Sequence, residues 1–333
     1  GGGAGLGVIF SGSRAGRDSP MGAFTGATGA RLGANPAGGL MLNPVDGLLY
    51  GTTEFGGTGG FGVAFKMTTA GAFTALRSFT DPTGSQPAGT LVRGSDSLIY
   101  GTTANGGANG LGVVFRMNAA GTYTLLASLT GESGLSPGSA MRGGLVRGSG
   151  GVFYGVTSAG GAGNLGAVFS MTTGSVFTPL GSISPVNGWM PSGAPVASGS
   201  QLLFPVAAGG AGGGGNVMSI STGGVVAVKA ALGGNLGSVA DGGLVANGAD
   251  FYGVTSKGAA SARGSMFRYN DAGGAALVAA FTASGGSLSE GPLVPGADGL
   301  YYGISREGGA SSRGSIYKVT ASGTRTRLVS FTG

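Results

Sequence analysis

The chain has 333 residues, with 78 glycines and with no cysteine or histidine. These absences exclude disulfides, thiolate nucleophiles, Ser–His–Asp triads and metal sites built on cysteine or histidine. The net charge is +6, only 9% of the residues are charged, and 41% are hydrophobic, so we expect the glycines to serve turns in a folded protein rather than disorder.

Two β-type phrases stand at the start of the chain. The first is Gly7-Val8-Ile9-Phe10, and the second lies at residues 24–26. Both recur later, in the second half of each repeat, so residues 1–36 are predicted to form a half-repeat of two strands. An exposed strand edge is a template for pairing. We therefore predict that Gly7, Val8, Ile9 and Phe10 pair with a neighbouring copy and give a homopolymer, a ring or a filament.

Two alternatives to this assembly remain open. The half-repeat could be an incomplete seventh blade whose edge is covered by loops. It could also mark a chain boundary that cuts through a repeat.

From residue 37 to residue 333, a unit of about 50 residues recurs six times. One five-residue motif in each unit contains an aromatic residue, at positions 50, 100, 154, 204, 252 and 302. Well-preserved copies are Leu49-Tyr50-Gly51-Thr52-Thr53 and Ile99-Tyr100-Gly101-Thr102-Thr103. In most copies this motif is followed by a Gly-rich turn and a G-x-V-F-x-M motif. A segment ending in S-F-T and a short G-L-V motif come next. Each unit is thus predicted to hold four short strands.

The strand at residues 112–117 is apolar on both faces. Val113, Phe115 and Met117 alternate on one face, and Val114 lies on the other. A sheet that is apolar on both faces must be covered on both, as radially packed blades are. We therefore predict an all-β protein, a β-propeller of six to seven four-stranded blades in which residues 37–333 form the six-repeat propeller. A parallel β-helix is the alternative, although its coils usually repeat at shorter periods.

The pattern L-Y-G-T-T, G-x-V-F-x-M-T, S-F-T and G-L-V resembles the bacterial Gloeobacter/Verrucomicrobium tandem repeat. The resemblance covers residues 37–333, and the copy around residues 195–245 departs from it most. It implies a propeller-like protein that is secreted or anchored at the bacterial cell surface. It brings no catalytic residue that could be assigned to this chain.

One strand position carries a basic residue in four repeats: Lys66, Arg116, Arg268 and Lys318. Equivalent positions of a propeller form a ring, so these residues are a predicted site for an anionic glycan or another polyanion. Ser170 and Ser219 interrupt the pattern. The alternative is an ordinary solvent-facing strand position, which also accepts lysine and arginine.

Other patterns are interpreted as structural. Residues 57–62 and 161–166 fit G-x-G-x-x-G, but a strand follows rather than a helix, so we predict hairpin turns and no nucleotide site. The repeated tyrosines are expected to pack between blades with their hydroxyls bonded locally, and stacking on sugars is the alternative. Trp189 is either packed or an exposed anchor for a partner. The acidic residues form no recognisable pair of glycosidase carboxylates.

These features favour a structural extracellular or cell-surface protein that self-associates and is not an enzyme. A glycan- or polyanion-binding propeller is the alternative, and a carbohydrate lyase or hydrolase that works without histidine is a third possibility. We expect no catalytic site, metal or cofactor and no nucleic-acid partner. We also expect no membrane span, because no stretch approaches the ~20 apolar residues that a helical span needs.

Overall fold

The computed structural model describes residues 5–12, 18–283 and 286–332. In these ranges the chain forms 27 strands and four one-turn 3-10 helices, at Asp81–Thr83, Ser149–Gly151, Pro185–Asn187 and Gly234–Leu236. Two compact units are present, and the boundary between them lies at Ser182 and Ile183.

The N-terminal unit holds a two-stranded sheet and three four-stranded sheets. The N-terminal sheet consists of β1 (Val8–Gly12) and β2 (Asp18–Ala23). Blade 1 consists of β3 (Met41–Leu42), β4 (Leu49–Thr53), β5 (Val63–Met67) and β6 (Phe73–Ser78). Blade 2 consists of β7 (Val92–Arg93), β8 (Ile99–Thr102), β9 (Val113–Met117) and β10 (Tyr123–Ser128). Blade 3 consists of β11 (Val146–Arg147), β12 (Val152–Val156), β13 (Ala167–Thr172) and β14 (Phe177–Ser182).

The C-terminal unit holds the other three blades. Blade 4 consists of β15 (Trp189–Pro191), β16 (Val196–Ser198), β17 (Gln201–Ala208), β18 (Asn216–Ser221) and β19 (Val226–Ala231). Blade 5 consists of β20 (Ser238–Asn247), β21 (Asp250–Lys257), β22 (Ser265–Asn270) and β23 (Gly274–Ala280). Blade 6 consists of β24 (Ser287–Pro295), β25 (Tyr301–Glu307), β26 (Ser315–Val319) and β27 (Arg325–Ser330).

Each blade is an antiparallel meander in which strands adjacent in sequence pair in space. The G-L-V phrase pairs with the aromatic phrase that follows it, as β7 does with β8. In blade 4 the first strand is split, so that β15 and β16 both pair with β17. The prediction of an all-β propeller with four-stranded blades is confirmed, and the number of blades is six.

The blades are buried on both faces, as the strand pattern predicted. Val113, Val114, Phe115 and Met117 are all buried. In the N-terminal unit, Tyr100 of blade 2 packs in one cluster with blade 3. In the C-terminal unit, blades 5 and 6 share a second cluster of the same kind, whose buried members are Tyr252, Val254, Met266, Ala279, Phe281, Leu293, Tyr301, Tyr317 and Val319.

The N-terminal sheet packs on blade 1. Ile9 of β1 and Phe24, just after β2, form a cluster with Val63, Phe65 and Met67 of β5. The predicted pairing strand is therefore seated against the first blade through Ile9. Pairing of Gly7, Val8, Ile9 and Phe10 with another copy stays a prediction, as does a domain boundary between residues 36 and 37. Among the residues described, no helix has the length and apolar character to cross a membrane.

Candidate binding site at the loop end of the blades

The basic strand position in the N-terminal unit ties each blade to the next one. Lys66 Nζ donates a hydrogen bond to the carbonyl oxygen of Ala119 at 2.9 Å. Arg116 Nη1 donates to the carbonyl oxygen of Thr173, also at 2.9 Å. Each acceptor lies in the turn between the third and fourth strands of the following blade. Both cations therefore have a structural partner.

The same position differs in the C-terminal unit. Arg268 Nη1 lies 3.7 Å from Asp250 Oδ2 of its own blade, and its side chain is 41% exposed. Lys318 is half-buried. The structure places two of the four predicted residues in each unit, and a polyanion site formed by all four stays a prediction.

Three of the five repeated tyrosines, Tyr50, Tyr100 and Tyr302, bond locally through the hydroxyl, as predicted. Tyr50 and Tyr100 are fully buried, and each hydroxyl donates to an aspartate four residues earlier, Asp46 and Asp96, at 2.6 Å. Burial, with the hydrogen bond to the carboxylate, raises the pKa of Tyr50 and of Tyr100 to about 12. These rings are therefore part of the core and are not exposed to stack on a sugar.

A different set of residues meets at what we call the loop end of a blade. At this end the first strand begins, and the Gly-rich connection runs from the second strand to the third. In blade 5, Ser238 at the start of β20 pairs with Lys257 at the end of β21. In blade 6, Ser287 at the start of β24 pairs with Glu307 at the end of β25.

A cleft of about 210 Å³ lies at the loop end of blades 5 and 6. The side chain of Arg263 reaches across it, because Nη1 donates to Ser287 Oγ at 3.2 Å. The cleft is lined by Ser261, Ala262, Arg263, Ser287, Leu288 and Glu307. It thus combines a guanidinium, a carboxylate, two hydroxyls and two apolar side chains.

Positive charge is concentrated in two loop-end segments of blades 5 and 6, and Arg263 of the first segment also lines the cleft. Lys257, Arg306 and Arg313 are exposed, and Arg263 is half-buried, whereas Glu307 is the one acidic residue in the same segments, residues 257–263 and 306–313. In the repeats of the N-terminal unit the segments that correspond to residues 306–313 are residues 54–61, 104–111 and 158–165, and their one charged residue is the acidic Glu54. Cations close together at one edge raise the local potential and attract anions.

This cluster was not predicted from the sequence, because it does not follow the repeat pattern. The cations at the loop end occur only in the last two repeats, inside connections that otherwise consist of glycine and other small residues. Their concentration in residues 257–263 and 306–313 was the available indication.

Trp189 also lies at a loop end, that of blade 4. It pairs with Ala208 of β17 and is 40% exposed. Of the two interpretations, the structure supports the exposed ring. Among the described residues, no group of three or more aspartates and glutamates is placed to hold a metal ion.

The sequence was compared with known families. It matches the Gloeobacter/Verrucomicrobia repeat over residues 1–143 and 141–333. The chain belongs to this family. The match includes the first 36 residues, which the resemblance seen in the sequence did not cover. A search of the curated proteins gave no match.

Solved structures similar to this Gloeobacter/Verrucomicrobia repeat protein share its fold. A putative 6-phosphogluconolactonase from Bacteroides uniformis is 15% identical, with a TM-score of 0.62, over 98% of this chain and 92% of that one. The extracellular domain of the putative one-component system BT4673 from B. thetaiotaomicron is 9% identical, with a TM-score of 0.58, over 97% and 38%. A puromycin-hydrolysing peptidase from Mycobacterium tuberculosis is 11% identical, with a TM-score of 0.58, over 95% and 49%.

At these identities the likeness concerns the fold alone. The repeat protein spans half or less of the length of the last two structures. Function therefore has to be argued from its own residues.

Proposed function

We propose that this protein is a non-catalytic repeat protein, outside the cell or at its surface, that binds an acidic polysaccharide at the loop end of blades 5 and 6. The observation that carries the proposal is the group of cations at the loop end of these two blades, Lys257, Arg263, Arg306 and Arg313, of which Arg263 lines the cleft. A uronic-acid sugar carries one carboxylate per residue and so presents a row of negative charges to such a surface.

The cleft has the groups that such a sugar requires. The planar guanidinium of Arg263 offers paired donors that match a carboxylate. Serine hydroxyls and the carboxylate of Glu307 can bond to sugar hydroxyls. Leu288 supplies an apolar contact for the C–H face of the ring. Few, well-placed polar groups beside an apolar wall are typical of small-ligand sites.

The absence of turnover is part of the proposal. Hydrolysis of a glycosidic bond ordinarily needs two carboxyl groups, one on each side of the scissile bond. Glu307 is the one carboxyl group that lines the cleft. Binding without cleavage is therefore the activity that this set of side chains favours.

The external location has two supports. The repeat pattern resembles a family of secreted and surface-anchored proteins, and the extracellular domain of BT4673 has the same fold. Assembly into a homopolymer or filament is a separate proposal, which electron microscopy of the purified chain tests.

The binding proposal is tested by titrating the protein with oligogalacturonate and, as a neutral control, with maltoheptaose. We expect binding of the acidic ligand only, with affinity that falls as salt is added. Arg263→Gln should weaken binding at least about tenfold, because a hydrogen bond to a charged group is worth ~1.5–3 kcal/mol.

Arg147→Gln is the matched control. It also removes one positive charge, but Arg147 is an exposed residue of β11 that pairs with Phe153, away from the loop end. Equal losses in the two variants would mean that net charge alone drives binding. A normal affinity in Arg263→Gln would contradict the proposed site.

A further inference from the structure

Six residues at one repeat position have a left-handed backbone although none is glycine. They are Asn35, Gln86, Ala140, Met190, Val239 and Leu288, with φ between 50° and 60°. The residue before each one pairs with a residue just after the aromatic phrase, as Ser85 does with Asn105 and Ser287 does with Glu307. The six positions are therefore equivalent, and each lies at the loop end of its blade.

This backbone is unfavourable for the residues that adopt it. The left-handed region crowds Cβ against the backbone, and a β-branched or bulky residue there is an outlier. Val239 is β-branched and Leu288 is bulky. Of the described residues, 12 that are not glycine have a positive φ, and these six are half of them.

Two residues before this position the backbone is also left-handed, and there the residue is glycine. All six repeats have glycine there, with φ between 78° and 128°, at Gly33, Gly84, Gly138, Gly188, Gly237 and Gly286. A Cβ at any of these glycines would lie within 2.7 Å of a neighbouring atom. In the same turn, then, one position is always glycine and the other never is.

Burial in the core does not account for the retained side chains. Asn35 and Met190 are exposed, and the other four are half-buried. Hydrogen bonds from both sides hold the backbone instead. Gln86 N donates to the carbonyl of Phe61 at 3.0 Å, and Ala104 N donates to the carbonyl of Gln86 at 3.0 Å. The frame thus imposes the conformation, and the side chain is presented outward.

Two of these side chains have polar neighbours suited to a ligand. Asn105 Nδ2 donates to Gln86 Oε1 at 2.8 Å, and Asn35 Nδ2 donates to the carboxylate of Glu54. Such planar pairs offer a donor and an acceptor side by side, which matches adjacent sugar hydroxyls. In blade 6, Leu288 lines the cleft with Arg263 and Glu307.

We propose that these six residues are the specificity-determining positions of saccharide-binding surfaces at the loop ends of the blades, three in the N-terminal unit and three in the C-terminal unit. This inference rests on the function proposed above and extends it from one cleft to the loop end of every blade. The repeated frame keeps the backbone constant, and the side chain differs in each repeat. Strained residues held by their surroundings cluster at ligand sites, which supports the assignment.

The test replaces the presented side chain and leaves its backbone in place. In Leu288→Gly and Val239→Gly the left-handed conformation becomes unstrained, so the melting temperature should rise or stay unchanged. Saccharide binding should weaken at least fivefold. Ser175→Gly is the control, because Ser175 has φ 68° in the turn between β13 and β14, away from any loop end. It should keep full binding.

Binding of the wild-type chain and of each variant is measured on an array of acidic and neutral oligosaccharides. Unchanged binding in both glycine variants, or a melting temperature lower by several degrees, would overturn the inference and leave the acidic-ligand function standing. If the wild-type chain binds neutral sugars only and Leu288→Gly loses them, the acidic ligand is wrong and the inference holds. A wild-type chain that binds no saccharide contradicts both proposals.

Discussion

At the scale of the residue, an aspartate–tyrosine pair four positions apart recurs at the turn before the second strand. Asp46 with Tyr50 and Asp96 with Tyr100 are two copies, and each aspartate also accepts a bond from the backbone two residues on. The carboxylate thus closes the turn and fixes the ring that enters the core. The sequence predicted a local partner for the hydroxyl but not which one.

Removing one such hydroxyl measures how much the aspartate–tyrosine hydrogen bond contributes to stability. Tyr100→Phe should lower the free energy of unfolding by about 1 kcal/mol, since it breaks one hydrogen bond and keeps the ring. Tyr154→Phe is the control, because residue 150 is glycine and no aspartate stands four residues earlier. Urea unfolding of both variants checks this, and equal losses would contradict the role of the aspartate.

At the scale of the element, the second and third strands approach each other closely through a glycine. A Cβ on Gly101 would lie 2.5 Å from Phe115 Cζ and 2.6 Å from Leu91 Cδ2. The phenyl ring therefore lies over the strand that carries the glycine. The Y-G-T-T phrase has glycine at this place because no side chain fits beneath the ring.

Gly101→Ala should thus destabilise the fold by about 1–3 kcal/mol through overpacking. In contrast, Gly223→Ala should be neutral or slightly stabilising, since the nearest atom to its Cβ is Ser221 Oγ at 3.7 Å. Thermal unfolding of the two variants makes the comparison. A Gly101→Ala protein as stable as the wild type would show that Phe115 can move aside.

How much of each element the sequence predicts depends on what defines it. Alternation and repetition predict β9, because Val113, Phe115 and Met117 recur as a pattern in the other repeats. The split first strand of blade 4 was not predictable, since that copy has lost the repeat pattern. The six left-handed residues were also missed, because a backbone angle held by hydrogen bonds between elements has no residue type of its own.

At the scale of the whole molecule, the titratable groups leave a wide range of pH without a transition. No histidine or cysteine is present, so no side chain has an ordinary pKa between those of the carboxyls and tyrosine except where the fold shifts it. At low pH, the hydrogen bond from Tyr269, followed by that from Lys229, lowers the pKa of Asp271. At high pH, burial raises the pKa of Tyr50 and Tyr100 to about 12.

The signs of these shifts predict a plateau of stability. Ionised Asp271 adds to the free energy of unfolding above the ordinary carboxyl pKa of about 3.9. This stabilisation is lost as the pH falls through the lowered pKa of Asp271. Neutral Tyr50 and Tyr100 add to the free energy of unfolding below about pH 10. Their stabilisation is lost as the pH rises towards their pKa of about 12. Urea midpoints should therefore be flat from about pH 5 to 9. A step between about pH 6 and 7 would contradict this prediction.

In each unit, one junction between successive blades contains a pair of aromatic rings. Phe79 at the end of blade 1 meets Phe115 of blade 2 edge to face at 5.2 Å, and Phe281 at the end of blade 5 meets Tyr317 of blade 6 at 5.6 Å. At the two other junctions within the units, leucine takes the place of this phenylalanine, since Leu129 clusters with Phe169 and Leu232 with Phe267. A repeat that is duplicated or deleted as a whole therefore meets an apolar contact of the same kind on either side. Recombination between the coding segments of such repeats exchanges entire blades together with their loop-end residues. A single genetic event can therefore give the protein a new set of ligand contacts while its core stays the same.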